Sequence, residues 1–283
     1  MNFDSFTFRE TISREKWFLL FLVILLAVIY SKIFEGMLYD WNNDPNYSHG
    51  FLVPLISVYF VFERRQELNH SFISPSNWGL PIILFSLLLL IVGTAGTEYF
   101  TQRSSFVFLV AGIVIFLLGR RVFQILALPI GFLLFMVPLP YILYDALAFP
   151  LKLLVAKVSV ASLKAMSIIV LREGNIIMFP DLTLEVADAC SGLRSLVSLL
   201  ALAVAFAFMT QKTAGKRLIL IVMALPIAIV TNMFRVIMTG VLARYYGASA
   251  AEGFFHEFAG LAVFGLAMLL LILFGALLRR VGR

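Results

Sequence analysis

Leu193-Arg-Ser-Leu-Val-Ser-Leu-Leu-Ala-Leu-Ala-Val-Ala-Phe-Ala-Phe-Met-Thr210 carries one charge, Arg194, beside its first residue. As a helix it would be about 27 Å long, close to the hydrocarbon thickness of a bilayer. The rest of the chain reads the same way. Of 283 residues, 61% are hydrophobic and only 13% charged, and mean hydropathy is +0.99. No soluble domain could hide that much apolar surface, so the solvent must be lipid. Candidate spans lie near 17–34, 50–62, 79–97, 104–118, 122–140, 193–210, 218–240 and 258–278. The fold expected is therefore an all-α polytopic membrane protein with about eight transmembrane helices. The first run is too long for a signal-peptide core and lacks an A-x-A-like exit, so it counts as a helix.

The basic residues orient these spans. Arg9, Arg14 and Lys16 precede the first, Arg64 and Arg65 follow the second, and Arg120 and Arg121 follow the fourth. Lys212, Lys216 and Arg217 separate the sixth from the seventh, and Arg279, Arg280 and Arg283 close the chain. With alternating helices all these clusters share one side, which the positive-inside rule makes cytoplasmic. Both termini are then cytoplasmic. The net charge of +6 is scattered between apolar runs, so it is read as topology and not as a nucleic-acid surface.

Residues 145–171 resist the scheme, being helix-like but carrying Lys152, Lys157 and Lys164. Parity requires that this piece begin and end outside, as an amphipathic or re-entrant helix with its lysines snorkelling. If it spans instead, another element must also cross. Next come turn signals and short β-type patches over 172–186, expected as an outer strand-like loop. No repeat or second domain is visible, so residues 1–283 are expected to form one integral membrane domain.

That loop leads into Glu185-Val-Ala-Asp-Ala-Cys-Ser-Gly-Leu-Arg-Ser195, which holds the only cysteine, Cys190. A single cysteine excludes an intramolecular disulfide. A thiol near cationic groups is pushed towards the reactive thiolate, whereas a structural one has apolar neighbours and stays inert. The topology assigns Arg235, about 25 Å along the seventh span from Leu218, to the outer half of the membrane. His256 opens the eighth span and His49 the second, both from outside. Each has a plainer reading. The cysteine could pack, Arg235 could pair structurally, His256 could sit in the interface, and His49 could start a helix after a Ser48 cap. His70 lies in a polar cytoplasmic loop. Charge inside an apolar run is nevertheless costly and marks function by default. Together a thiol, an imidazole and a guanidinium form a cysteine protease or transpeptidase set. Metal-ligand spacing is absent, as are a P-loop and a dinucleotide turn, so no metal or cofactor is expected.

These pieces resemble the exosortases, membrane cysteine transpeptidases of the exosortase/archaeosortase family that process PEP-CTERM proteins. The matching strings are Asn46-Tyr-Ser-His-Gly-Phe-Leu-Val-Pro-Leu-Ile-Ser57, Phe135-Met-Val-Pro-Leu-Pro140, Gly174-Asn175 and Leu184 to Ser195. Pro226-Ile-Ala-Ile-Val-Thr-Asn-Met-Phe-Arg235 and His256-Glu-Phe-Ala-Gly260 complete the set in family order. The resemblance implies that Cys190 is the nucleophile, Arg235 the catalytic arginine and His256 the catalytic histidine. Arg194, His49 and Asn232 are candidate substrate-binding residues. It implies a bacterial inner-membrane enzyme with its site facing the periplasm. The substrates would be secreted proteins with a Pro-Glu-Pro motif, a hydrophobic helix and a basic cluster. Some family members carry a fused soluble C-terminal domain. This chain ends at Arg283 without one, so a separate soluble partner is expected to supply that part where needed. A competing class is a non-enzymatic transporter-like or accessory subunit of polysaccharide export. There Arg235 and the lysines of 152–164 would line an anion path and Cys190 would be dispensable. A third reading, an intramembrane protease that only hydrolyses, differs from the first in its product.

Overall fold

Backbone polar groups in lipid must be satisfied within the segment that carries them, so apolar runs of this length fold as helices. A computed structural model describes residues 7–180, 183–186, 193–247 and 254–280, with only the backbone of 254–257. It is helical apart from one small sheet. The chain divides into two compact units, Met1–Pro140 and Tyr141–Arg283.

The first unit opens with α1 (Phe8–Arg14), started by a capping box between Thr7 and Glu10. The apolar α2 (Lys16–Ile29) follows, and a 64° bend at Tyr30 leads into α3 (Ser31–Asn43). The expected span 17–34 breaks there because α3 brings in Lys32, Glu35 and Asp40. Tyr30 is fully buried, its hydroxyl 2.8 Å from Ser105 Oγ. A 3-10 turn at Ser48–Phe51 leads into α4 (Leu52–Glu63), and α5 (Arg65–Asn69) ends that stretch. Helices α6 (Gly79–Ala95) and α7 (Tyr99–Leu118) form a hairpin. A Cβ at Gly112 would stand 2.8 Å from Ile83 Cγ1 and 2.9 Å from Ile83 N, so the two backbones approach as closely as a glycine permits. In the same unit Arg103, buried on α7, pairs with Asp40 of α3 at 2.7 Å.

The expected span 122–140 is instead α8 (Arg120–Phe132), 13 residues long, followed by a 3-10 turn at Leu133–Met136. Val137, before Pro138, is extended at ψ 118°, because a proline disfavours helical geometry in the residue preceding it. The expected spans 50–62 and 79–97 are also short, at Ser48–Glu63 and Gly79–Ala95. Helices of about 17–25 residues cross a bilayer comfortably. Among the described residues five helices of 18 residues or more are apolar enough to cross, or six if the bent pair α2–α3 counts as one. The multi-pass all-α architecture stands; eight full-length helices are not found among the described residues.

The second unit begins with α9 (Tyr141–Ala165). It closes in a Schellman motif: Ser167 adopts φ 62°, Ile168 N bonds Leu163 O at 3.0 Å, and Ser167 N bonds Lys164 O at 2.9 Å. Buried Ile168 and Leu163 share the core cluster beneath it. The chain then forms an antiparallel sheet, β1 (Leu171–Glu173), β2 (Ile176–Met178) and β3 (Thr183–Glu185), in the order β1-β2-β3. The expected strand-like loop is this sheet. Its first turn is Gly174-Asn175, with Gly174 at φ 59°, where a residue without Cβ carries no steric penalty.

Three helices complete the unit: α10 (Leu193–Thr210), α11 (Ala214–Tyr246) and α12 (Phe254–Arg280). Small residues line their contacts. Ala203 and Ala207 of α10, Ala224 and Ala228 of α11, and Ala267 of α12 are buried in one cluster. The register follows from Gly275 of α12, where an added Cβ would meet both Phe206 of α10 and Leu220 of α11. Fifteen residues along α11 and back along α12, Gly260 meets Arg235 in the same way. The helices therefore run antiparallel with 206, 220 and 275 at one level and 235 and 260 at another.

Candidate active site at one end of the α10–α12 bundle

The register sorts the charges of the second unit by height. Lys212, Lys216 and Arg217 sit at the α10–α11 turn, and Arg279 and Arg280 end α12 alongside them. From Lys216 to Arg235 is about 28 Å of helix, close to the hydrocarbon thickness. Arg235 thus stands near the opposite end of the bundle. Its guanidinium packs on α12: a Cβ at Gly260 would stand 3.3 Å from Nη2 and 3.5 Å from Cζ. Residue 256 is one turn before Gly260 in α12, and residues four apart share a helix face. The side chain of His256 lies outside the described atoms, but its backbone position is on the α12 face that receives Arg235.

The segment holding Cys190 lies outside the described residues; its two flanks do not. On one side Val186 is buried in the cluster that includes Val236, the neighbour of Arg235. Asn175 of the β1–β2 turn secures that end three ways. Val186 N donates to Asn175 O at 2.9 Å, and Asn175 Nδ2 donates to Val186 O at 3.2 Å and to Glu185 Oε1 at 3.3 Å. On the other side Leu193 is buried against Tyr144 and Ala148 of α9. In the sequence Cys190 comes four residues after Val186 and three before Leu193.

The remaining candidates divide between units. Arg194, half-buried, is the second residue of α10. Asn232 is buried on α11, three residues before Arg235 and so on the same side of that helix. His49 belongs to the first unit, in the 3-10 turn Ser48–Phe51, where its imidazole is engaged by the backbone at Phe135 and Asn46. His70 Nδ1 lies 2.7 Å from Gln66 O on α5, as a loop histidine would. Sequence reading gave no role to Gly260 or Asn175, although both fall in the quoted strings. It also passed over Arg103, whose position at the edge of an apolar run was the available signal.

A guanidinium at the apolar boundary and a histidine position one turn from its seat are groups that acyl transfer can use, as oxyanion partner and proton carrier. The sequence matches the transmembrane exosortase family (Exosortase_EpsH) over residues 41–273, most of the chain. The chain belongs to that family. No curated protein and no solved structure matches it. Exosortase membership supports a membrane sorting transpeptidase in general, and the strings that carry the site fall inside the matched span. This exosortase is a multi-pass membrane protein by its apolar helices and by its family.

Proposed function

We propose that this exosortase removes the C-terminal PEP-CTERM sorting tail of secreted proteins at the periplasmic face of the bacterial inner membrane. Both of its termini would be cytoplasmic. In the proposed reaction the Cys190 thiolate attacks the scissile carbonyl carbon, and the carbonyl electron pair moves onto oxygen beside Arg235. Collapse of that intermediate breaks the carbon–nitrogen bond, and His256 gives the departing amine its proton. A thioester to Cys190 remains. Water or an acceptor amine then attacks it, losing a proton to His256, and the sulfur leaves as the Cys190 thiolate beside a protonated His256. Arg235 fits the oxyanion role because a guanidinium near the apolar boundary acts where water is scarce.

Arg194 and Asn232 are the proposed substrate contacts on the second unit, and His49 the one proposed from the first. A guanidinium suits the motif's glutamate. The substrate's hydrophobic helix would lie against the enzyme in the bilayer with its basic end cytoplasmic, which puts the motif at the outer face. The observation that carries this reading is the Arg235–Gly260 contact, one turn from residue 256 on the same helix face. Co-expression with a tagged tail-bearing protein tests it: wild type should release the tail and Cys190→Ala should not. Equal release by both sinks the nucleophile assignment. The mass of the new terminus separates hydrolysis from transfer.

A further inference from the structure

Length and composition alone qualify α9 as a membrane span, yet its packing gives it another course. Near its start Tyr144 and Ala148 pack on Leu193, the first residue of α10. Near its end Leu163 meets Gly240 of α11, where an added Cβ would stand 3.1 Å from Leu163 Cδ1. The antiparallel register puts Leu193 level with about residues 231–234 of α11. Between these two contacts α9 runs about 25 Å along its own axis while climbing only about 9–13 Å along α11. Both contacts are at the end of the bundle that holds Arg235, opposite Lys212, Lys216 and Arg217.

The side chains change along α9 in keeping with that slope. Its first half exposes Ile142, Leu143, Leu147 and Phe149. Its second half buries Val155, Ala156, Val160 and Leu163 against the sheet and α11, and the opposite face exposes Lys157, Ala161 and Lys164. Neither Lys157 nor Lys164 joins an ion pair among the described residues. Were α9 a centred span, Lys152 and Lys157 would fall near the bilayer midplane, the costliest depth for charge. Counted from Lys216, the hydrocarbon ends near residue 236 of α11. The start of α9 is then just inside the apolar layer, and its lysine face is among the headgroups.

We propose that α9 is an inclined interfacial bar lying across the outer end of the α10–α12 bundle, and that Lys157 and Lys164 dock it on the phosphates of anionic lipids. The bar carries Leu193 directly and Val186 through the sheet, so lipid contact fixes the depth of those two residues. The course of α9 does not depend on the proposed chemistry, and its tests read no activity.

Full-length protein with Cys190→Ser, reconstituted in vesicles, tests the slope with spin labels on Leu147→Cys, Leu154→Cys or Ala161→Cys, which share one face at seven-residue spacing. The bar predicts depth falling steadily from 147 to 161 by about 8 Å, with Ala161 at headgroup level. A spanning helix makes Leu154 the deepest of the three, and that order, or a deepening towards Ala161, overturns the proposal. For the lipid, a bromine-quenched fluorophore on Ala161→Cys reports preference for brominated phosphatidylglycerol over brominated phosphatidylcholine. Lys157→Gln and Lys164→Gln should each lower that preference about fivefold. An unchanged preference in the double variant overturns the docking.

Discussion

The guanidinium of Arg235 on α11 rests on Gly260 of α12, where a Cβ would fit only tightly: it would stand 3.3 Å from Nη2, so the guanidinium would have to shift by a few tenths of an ångström, and 3.5 and 3.6 Å from Cζ and Nη1. A glycine in mid-helix costs about 0.5–1 kcal/mol relative to alanine, so helix stability alone argues for alanine at this position. The contact separates stability from function. Gly260→Ala should leave the thermal midpoint unchanged or raised while slowing tail release about tenfold, because small misplacements of a reacting group weigh heavily on rate. Rates and midpoints measured on the same preparation check it. A full-rate Gly260→Ala would show that Arg235 needs no such seat.

Asn175 holds the end of β3 by its amide hydrogens and its carbonyl. Asn175→Asp keeps the shape but loses the Nδ2 donors to Val186 O and Glu185, and it sets a carboxylate beside Glu185. It should lower stability by about 1–2 kcal/mol and slow processing. Asn175→Gln, which keeps the donors at greater reach, should fall between that variant and wild type. The comparison is read by denaturation midpoint and by tail release.

In the first unit the Arg103–Asp40 pair makes a different prediction. Removing one partner of a fully buried ion pair costs about 3–5 kcal/mol. Asp40's side chain keeps 34% of its exposure, so Asp40→Ala should cost less, about 2 kcal/mol. Arg103→Leu added to Asp40→Ala should recover most of that loss, since no buried charge is then stranded. A double variant no more stable than Asp40→Ala alone would contradict the reading.

How far such features were legible in the sequence varies with their physics. The span at 193–210 was legible because lipid demands long uninterrupted apolar helices, and α10 runs from Leu193 to Thr210. The sheet before Cys190 was signalled by Gly174-Asn175 and by short β-branched patches. The break at Tyr30 was harder to see, because Ile33 and Phe34 resume the apolar run after Ser31 and Lys32. The extended backbone at Val137 was signalled by Pro138, but the apolar run continues past it and masked the stop. The seat of Arg235 on Gly260 depends on the α11–α12 register, which no local pattern encodes.

Glu98 caps α7, accepting from Phe100 N at 3.1 Å and from Thr101 N at 2.6 Å. Burial pushes its carboxyl pKa up, but the bonds from Thr101 and Phe100 outweigh that and hold it below the ordinary carboxylate range. A depressed carboxyl pKa stabilises the folded state above the unfolded value and loses that contribution as pH falls through the folded one. Glu98→Ala should therefore cost about 0.5–1 kcal/mol at neutral pH. The difference from wild type should shrink below about pH 4. Thermal midpoints of both proteins from pH 7 to pH 3 check it.

The central claim is that Cys190 carries the acyl group. The most direct test is an acid quench during processing of a tail-bearing substrate, followed by peptide mass mapping. The account predicts a hydroxylamine-labile adduct on the peptide containing Cys190, with the mass of the substrate up to its cleaved bond less one water. It should be missing from Cys190→Ser. Processing that proceeds with no adduct on Cys190, or that continues at full rate in Cys190→Ser, would contradict it.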